Sequence, residues 1–166
     1  MMADPQLYTE VCDLIFREAR LLDAQCWDDW LQLYCPDAVF WVPAFRMDGR
    51  HTEDPRAELN MMFIEGRTGL EARIFRLNTE IALSSTPVPR TSHLVSQVMV
   101  DSDDGKLVKA WASWQVMWAN DVRGSQVRAG SYEYTLRRTA DGLRIASKKI
   151  LLLDRTIDGY FDVYAI

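Results

Sequence analysis

The sequence has 166 residues, 48% hydrophobic and 26% charged, with a net charge of -5 and a pI near 5.0. That length suits one domain, residues 1–166, and the balance excludes a mostly disordered chain. The acidity argues against a nucleic-acid or anionic-membrane surface, and no apolar run approaches the roughly 20 residues a bilayer span needs.

The opening segment MMADPQLYTE has no basic stretch followed by an apolar one, so no signal peptide is expected. The first helix is signalled by Asp4 as a cap and Pro5 at the first helical position, where its missing N–H costs nothing. Leu7, Val11, Leu14, Ile15 and Leu22 then fall on one face. A shorter helix is expected over 27–34, ended by Pro36, because a proline disfavours helix in the residue before it. Val39-Phe40-Trp41-Val42 reads as a strand that Pro43 ends or places at a sheet edge. A polar loop follows, and Asp54-Pro55 suggests a helical segment running through Met61 and Met62. Thr68 and Glu71 have the spacing of a capping box, with Leu70, Ile74 and Leu77 as the buried stripe of the helix they open. Arg73 and Arg76, three apart, project to a neighbouring side.

After a proline-rich loop the period changes from helical to two. Four long strands are expected, about 91–101, 107–118, 126–138 and 143–153. Asp103-Asp104-Gly105 and Ala140-Asp141-Gly142 carry hairpin-turn chemistry, and 120–124 is a looser turn. Helices first and a meander afterwards define an α+β domain, with the N-terminal helices packed on a curved antiparallel sheet that closes around them as a cone.

In the second long strand, Val108, Ala110, Ala112, Trp114, Val116 and Trp118 share an apolar face that should meet the helices. The opposite face, with Lys109, Trp111, Ser113, Gln115 and Met117, is mixed rather than cleanly polar. The run Ile150–Leu153 is apolar on both faces. Either a partner covers the outside of the sheet or the tail 154–166 folds back over it; the pattern favours a partner.

The sequence offers little catalytic chemistry. Cys12, Cys26 and Cys35 are odd in number and lack short spacings, which suits a reducing cytoplasm rather than a disulfide framework. Only His51 and His93 supply imidazole, and no Cys-x-x-Cys or His-x-x-x-His spacing suggests a metal or cofactor site in this chain. His93 is the one candidate general base, for which Asp37, Tyr34 or Tyr132 would have to converge on it. Strict alternation sets it opposite Leu94, Val98 and Val100 and so turns it outward, unless a bulge intervenes. Arg73, Arg76 and Arg90 suit an anion, nearby carboxylates such as Glu71 and Glu80, or a partner subunit; arginine enrichment at interfaces favours the partner. Asp28-Asp29 and Asp101–Asp104 read as solvated acidic turns.

The order of elements, with Glu71, Arg73, Arg76-Leu77, then Pro89-Arg90-Thr91 and His93-Leu94-Val95-Ser96, resembles the small (beta) subunit of aromatic-ring-hydroxylating dioxygenases. The chain departs from that pattern where Gln97 stands in place of an asparagine, and the proline loop lacks the aromatic residue often found before it. The resemblance implies a cystatin-like cone of the ketosteroid-isomerase and scytalone-dehydratase type. It implies a non-catalytic structural subunit, with no catalytic, cofactor or metal residues of its own. Arg73, Arg76, Arg90, His93 and Trp111 are then structural or subunit-contact residues. The implied partner is a large (alpha) subunit bearing a Rieske iron–sulfur cluster and a mononuclear iron, three large with three small subunits, the small ones themselves a trimer. A reductase, in some members with a ferredoxin, delivers electrons from NADH or NADPH. The competing expectation is a free-standing cone-fold isomerase, dehydratase or cyclase with His93 as its base.

Overall fold

The computed structural model describes residues 4–79 and 87–166. In chain order the elements are α1 (Pro5–Asp23), α2 (Trp27–Gln32), β1 (Tyr34–Pro43), β2 (Asn60–Glu65), α3 (Arg67–Asn78), β3 (Arg90–Asp103), β4 (Leu107–Asn120), β5 (Gly124–Thr139) and β6 (Gly142–Leu152). The strands form one sheet in the order β2-β1-β6-β5-β4-β3. The meander β3 to β6 is antiparallel, as its alternation and Asp-Gly turns lead one to expect. The sheet is wider than that meander: β1 adds to β6 in parallel, and β2 pairs antiparallel with β1.

The apolar stripe of α1 packs on the inner face of the sheet. Its cap is as expected: the Asp4 carboxylate accepts from the Gln6 N–H at 3.2 Å, with Pro5 opening the helix. Every alternate residue of β4 from Val108 to Trp118 is buried, so the face assigned to the helices is the one that meets them.

Three local expectations are corrected. The segment after Pro55 is a short turn followed by strand β2, not a helix through Met61 and Met62; pairing with β1, including Trp41 opposite Phe63, overrides the local start signal. The helix of the arginines begins two residues earlier than the capping box suggests, with Gly66 as N-cap and Thr68 already inside, and no side chain caps it. Pro36 does not end α2 but sits within β1, in an irregular stretch between the Tyr34 and Val39 pairings with β6.

The tail 154–166 does not fold back over the outer face, the less favoured of the two expectations. It covers the inner face of the sheet and leaves the outer face bare. Arg128, buried on β5, donates to the carbonyls of Tyr160 at 2.8 Å, Ala165 at 3.0 Å and Asp158 at 3.2 Å. The Tyr160 ring stands edge-on to Trp118, with centroids 4.9 Å apart. Gly159 lies flat against the same indole: its φ is +82° and a Cβ there would fall 2.6 Å from a Trp118 ring carbon, so only glycine fits. Val163, Tyr164, Ala165 and Ile166 are all buried as a result.

The end of α1 offers a test of backbone strain. Gln25 takes φ +54° just past the helix, where its N–H bonds Leu22 O at 3.1 Å and the Cys26 N–H bonds Leu21 O at 2.9 Å. This is the bonding of a Schellman ending, which favours glycine at that place. Gln25→Gly is therefore expected to raise unfolding stability by about 1 kcal/mol, on the order of 3 °C in Tm. Thermal and urea unfolding of the two proteins check this; a loss of stability would contradict it.

Candidate functional site

Two places in the fold gather polar or exposed groups that packing alone does not call for: the interior between α1 and the sheet, and the outer face of the sheet.

The interior is dominated by a buried ion pair. Glu18, on the apolar stripe of α1, accepts from Lys148 Nζ at 2.9 Å, from the Tyr134 hydroxyl at 2.7 Å and from the Tyr34 hydroxyl. Both charged side chains are almost wholly enclosed. The Lys148 ammonium also lies 4.0 Å from the centre of the Tyr132 ring. Burial works to raise the Glu18 carboxyl, but the lysine charge and the three donors outweigh it and hold it below its ordinary value. Burial draws the lysine below its ordinary value, against the pull of Glu18. The two tyrosine hydroxyls are pushed well up, first by burial and then by the neighbouring carboxylate. The Glu18 carboxylate is thus committed to three donors within the chain, and the Lys148 ammonium to Glu18 and the Tyr132 ring.

His93 lies inside the fold, not outside, and the alternation argument is corrected by one residue. Gln97 takes φ +53°, and the pairing of β3 with β4 shifts register between Ser96 and Met99. The bulge reverses the parity of everything before it. Thr91, His93 and Val95 thereby share the inner face with Val98 and Val100, while Leu94, expected in the core, is 61% exposed. Asparagine, which the family pattern leads one to expect at 97, tolerates this left-handed conformation better than most residues.

The histidine closes a small network with the last residue of α1. Asp23 accepts from His93 Nδ1 at 2.6 Å, from the His93 backbone N–H at 2.9 Å and from the Thr91 hydroxyl at 2.8 Å. Burial opposes the charge on Asp23, but these bonds outweigh it and keep its carboxyl below the ordinary value. The His93 side chain is 1% exposed, and its Nε2 faces the packed interior with no hydrogen-bond partner among the described residues. None of the residues weighed as its catalytic companions bonds to it: Asp37 is held by Arg137 at 2.8 and 3.0 Å on the surface, and Tyr34 bonds Glu18.

The arginines separate. Arg73 lies 3.7 Å from Asp162 of the tail, and Arg76 adds its charge near the same carboxyl, which burial raises. Glu71 pairs instead with Arg67 at 3.4 Å, and Glu80 lies outside the described residues. Arg90 pairs with Asp121 at 2.9 Å where both are open to solvent, a contact of little energetic weight. Phe75 is 64% exposed on α3 between the two arginines. Of the residues read as acidic turns, Asp103 and Asp104 accept backbone N–H groups of their own hairpin, but Asp28 and Asp29 lie in the first turn of α2, and Asp101 lies within β3.

The outer face of the sheet is ordered in rows that cross the strands. One row runs Met99, Trp111, Glu133, Lys149, Trp41, Phe63. Lys149 bridges within it, 3.2 Å from Glu133 and 5.0 Å from the Trp41 ring centre. The next row is Ser96, Ser113, Ser131, Leu151. Beyond it come Leu94, Gln115, Ala129 and Leu153, then Ser92, Met117 and Val127. Leu94, Met99, Met117, Val127 and Leu153 are each between 47% and 73% exposed. Nothing in the fold covers them.

Among the described residues, no cluster of three or more His, Cys, Asp and Glu is placed to hold a metal, the three cysteines are unpaired, and no helix is long and apolar enough to cross a membrane. A cone with a closed interior and a bare sheet face defines an assembly module more readily than a free-standing enzyme. Similarity to solved structures agrees on the fold: an NTF2-like protein with a cystatin-like fold from Novosphingobium aromaticivorans superposes with a TM-score of 0.62 at 20% identity, over 89% of this chain and 82% of that one.

The family follows from closer relatives. Residues 17–159 match the model of the ring hydroxylating beta subunit. The chain is 37% identical over 159 residues to the 2-halobenzoate 1,2-dioxygenase small subunit of Burkholderia cepacia, covering 96% of each. The beta subunit of the benzoate 1,2-dioxygenase of Burkholderia mallei superposes with a TM-score of 0.77 at 29% identity, covering 94% of this chain and 95% of that one. The chain belongs to the ring-hydroxylating beta-subunit family, the small subunits of aromatic-ring dioxygenases, as its motifs led one to expect.

Glu18 and Lys148 escaped the sequence reading, although a signal was present. Glu18 falls on the apolar stripe between Ile15 and Leu22, and Lys148 is in phase with the buried Ile150. Two opposite charges on facing apolar surfaces predict each other. Glu18→Gln would leave the lysine buried without a counter-charge, at an expected cost of about 3–5 kcal/mol. The lowered Glu18 carboxyl stabilises the fold above its unfolded value and ceases to do so as pH falls through its folded value. Urea unfolding at neutral and acid pH should therefore show a large loss for Glu18→Gln at pH 7 and a shallower acid decline than in the parent. Equal acid slopes would contradict the assignment.

Proposed function

We propose that this chain is the non-catalytic structural subunit of a cytoplasmic, NAD(P)H-dependent aromatic-ring-hydroxylating dioxygenase of aromatic catabolism. In this reading three copies assemble with three large subunits into a hetero-hexamer. The large subunits hold the Rieske cluster and the mononuclear iron, and a reductase, with or without a ferredoxin, supplies electrons. The names of the relatives favour a benzoate-like aromatic acid as the substrate of the complex. Arg73, Arg76, Arg90 and Trp111 act in subunit contact, and His93 is a structural strut within this chain.

The observation that carries the reading is the enclosed interior. The imidazole–carboxylate pair Asp23–His93 has its ring shut off from solvent, and the buried carboxylate of Glu18 is committed to a lysine and two tyrosines. A general base needs a substrate proton within hydrogen-bond reach, and the packing leaves no such approach.

The test is His93→Ala in the assembled complex, with activity expressed per hexamer and large-subunit iron quantified. Loss of the ring leaves Asp23 short of a donor, so stability should fall by about 1–3 kcal/mol. The normalised rate should stay within about twofold of the parent, against the 10²–10⁴-fold drop expected for removal of a general base. A large fall in the normalised rate, with assembly and iron intact, would mean that the histidine does chemistry.

A further inference from the structure

We propose that the end of β4 and the turn after it form a socket for a small phenol, which Tyr160 of the tail occupies as a built-in ligand and which a free phenol enters by displacing it. The socket lies within this chain, so its test stands apart from the subunit reading above.

The walls of the socket come from elements other than the tail and are set without it. Asn120, the last residue of β4, is 8% exposed and donates from Nδ2 to the Tyr160 hydroxyl at 2.5 Å. Its own hairpin orients it: Oδ1 accepts the backbone N–H groups of Val122 at 3.0 Å and Arg123 at 2.7 Å, so Nδ2 is aimed at the socket whether or not the ring is there. The Arg123 guanidinium stands over the Tyr160 ring, 5.4 Å from its centre, and Trp118 meets the ring edge-on. The Trp118 indole N–H is buried and has no hydrogen-bond partner among the described residues. An oriented amide donor, a cation over the ring face and an aromatic wall with a spare donor are complementary to a phenol: its ring draws the cation and the indole, and its oxygen accepts from the amide.

The occupant is fastened less firmly than the walls. Residues 154–166 form no helix or strand, and the N–H groups of Val163 and Ala165 bond within the tail, to the side chain and the carbonyl of Asp162. Arg128 and Asn120 tie the tail to the sheet, the first through main-chain carbonyls and the second through the Tyr160 hydroxyl. Asp162 works against closure, since its carboxyl is buried with the nearest guanidinium, that of Arg73, 3.7 Å away. A segment held in this way opens at a cost well below that of global unfolding. The Tyr160 side chain is p-cresol on a tether, so free p-cresol offers the socket the same contacts. The tether gives Tyr160 the advantage of a high effective concentration, and the parent binds p-cresol only in proportion to the fraction of tails that are open.

Tyr160→Ala removes the plug and leaves Asn120, Trp118 and Arg123 in place. Binding of p-cresol and of toluene to the full-length proteins is followed by NMR titration, after circular dichroism has matched each variant to the parent. Tyr160→Ala should bind p-cresol on the order of tenfold or more tightly than the parent does. It should bind toluene on the order of tenfold more weakly than p-cresol, because toluene leaves the Asn120 amide without its acceptor. In the parent, p-cresol should speed hydrogen exchange at the Val163 and Ala165 amides while the β4 ladder keeps its protection. Tyr160→Phe keeps the ring and loses only the bond to Asn120; it too should bind p-cresol more tightly than the parent, and it decides the matter where Tyr160→Ala does not fold. Equal affinity for p-cresol and toluene would reveal an apolar hole only and overturn the inference. So would p-cresol binding no tighter in the variants than in the parent, or exchange at Val163 and Ala165 that p-cresol leaves unaltered.

Discussion

The Glu18–Lys148 pair is the constraint around which the rest of the structure is arranged. A carboxylate and an ammonium with almost no access to water are tolerable only if each is the other's partner and the remaining lone pairs are occupied. Tyr34 and Tyr134 occupy them, so one carboxylate ties α1 to β1, β5 and β6 at once. The pair also fixes register. Lys148 and Lys149 are adjacent and point to opposite faces, one into the ion pair and the other to Glu133 and Trp41 on the outer face. A slip of β6 by one residue would turn Lys148, and with it the buried Ile150 and Leu152, to the outer face.

What the sequence made legible was whatever depended on local pattern. The meander strands were read to within a few residues because alternation and Asp-Gly turns are written in consecutive positions. β2 was not legible, since Met61-Met62-Phe63-Ile64 has no period of two and becomes a strand only because β1 lies beside it. Its partner is some twenty positions away, and propensity yields to such pairing. His93 failed for a narrower reason. One residue in the left-handed region, and not a glycine, turned half of β3 over. Bulges signalled by glycine can be anticipated; one at Gln97 could not. The contacts of the arginines were not legible: the carboxylate nearest Arg73 came from the tail, which no spacing rule connects to α3.

The tail decides what the molecule can do. Had it crossed the outer face, the apolar positions there would have been covered and the chain self-sufficient. Instead Arg128 draws it across the inner face by three carbonyl bonds, and Gly159 lets it lie against Trp118. A buried guanidinium needs its donors satisfied, and backbone carbonyls do this without adding a second charge to the interior. The cost falls on the other side of the sheet, where Leu94, Met117, Val127 and Leu153 stay exposed.

The Asp23–His93 pair shows why access must be weighed before chemistry is assigned. A carboxylate holding the Nδ1 of an imidazole is the arrangement that orients a catalytic histidine, and here the distance of 2.6 Å is suitable. Yet the same carboxylate also accepts the His93 backbone N–H and the Thr91 hydroxyl, so it fastens the end of α1 to an edge strand as well as to a ring. β3 has a neighbour on one side only, and α1 is the helix that holds it. Without that anchorage the bulged strand would be free to shift, and the outer rows that begin at Ser92, Leu94 and Ser96 would lose their alignment with β4. The histidine thus serves the outer surface from within: it holds in place the strand on which that surface starts.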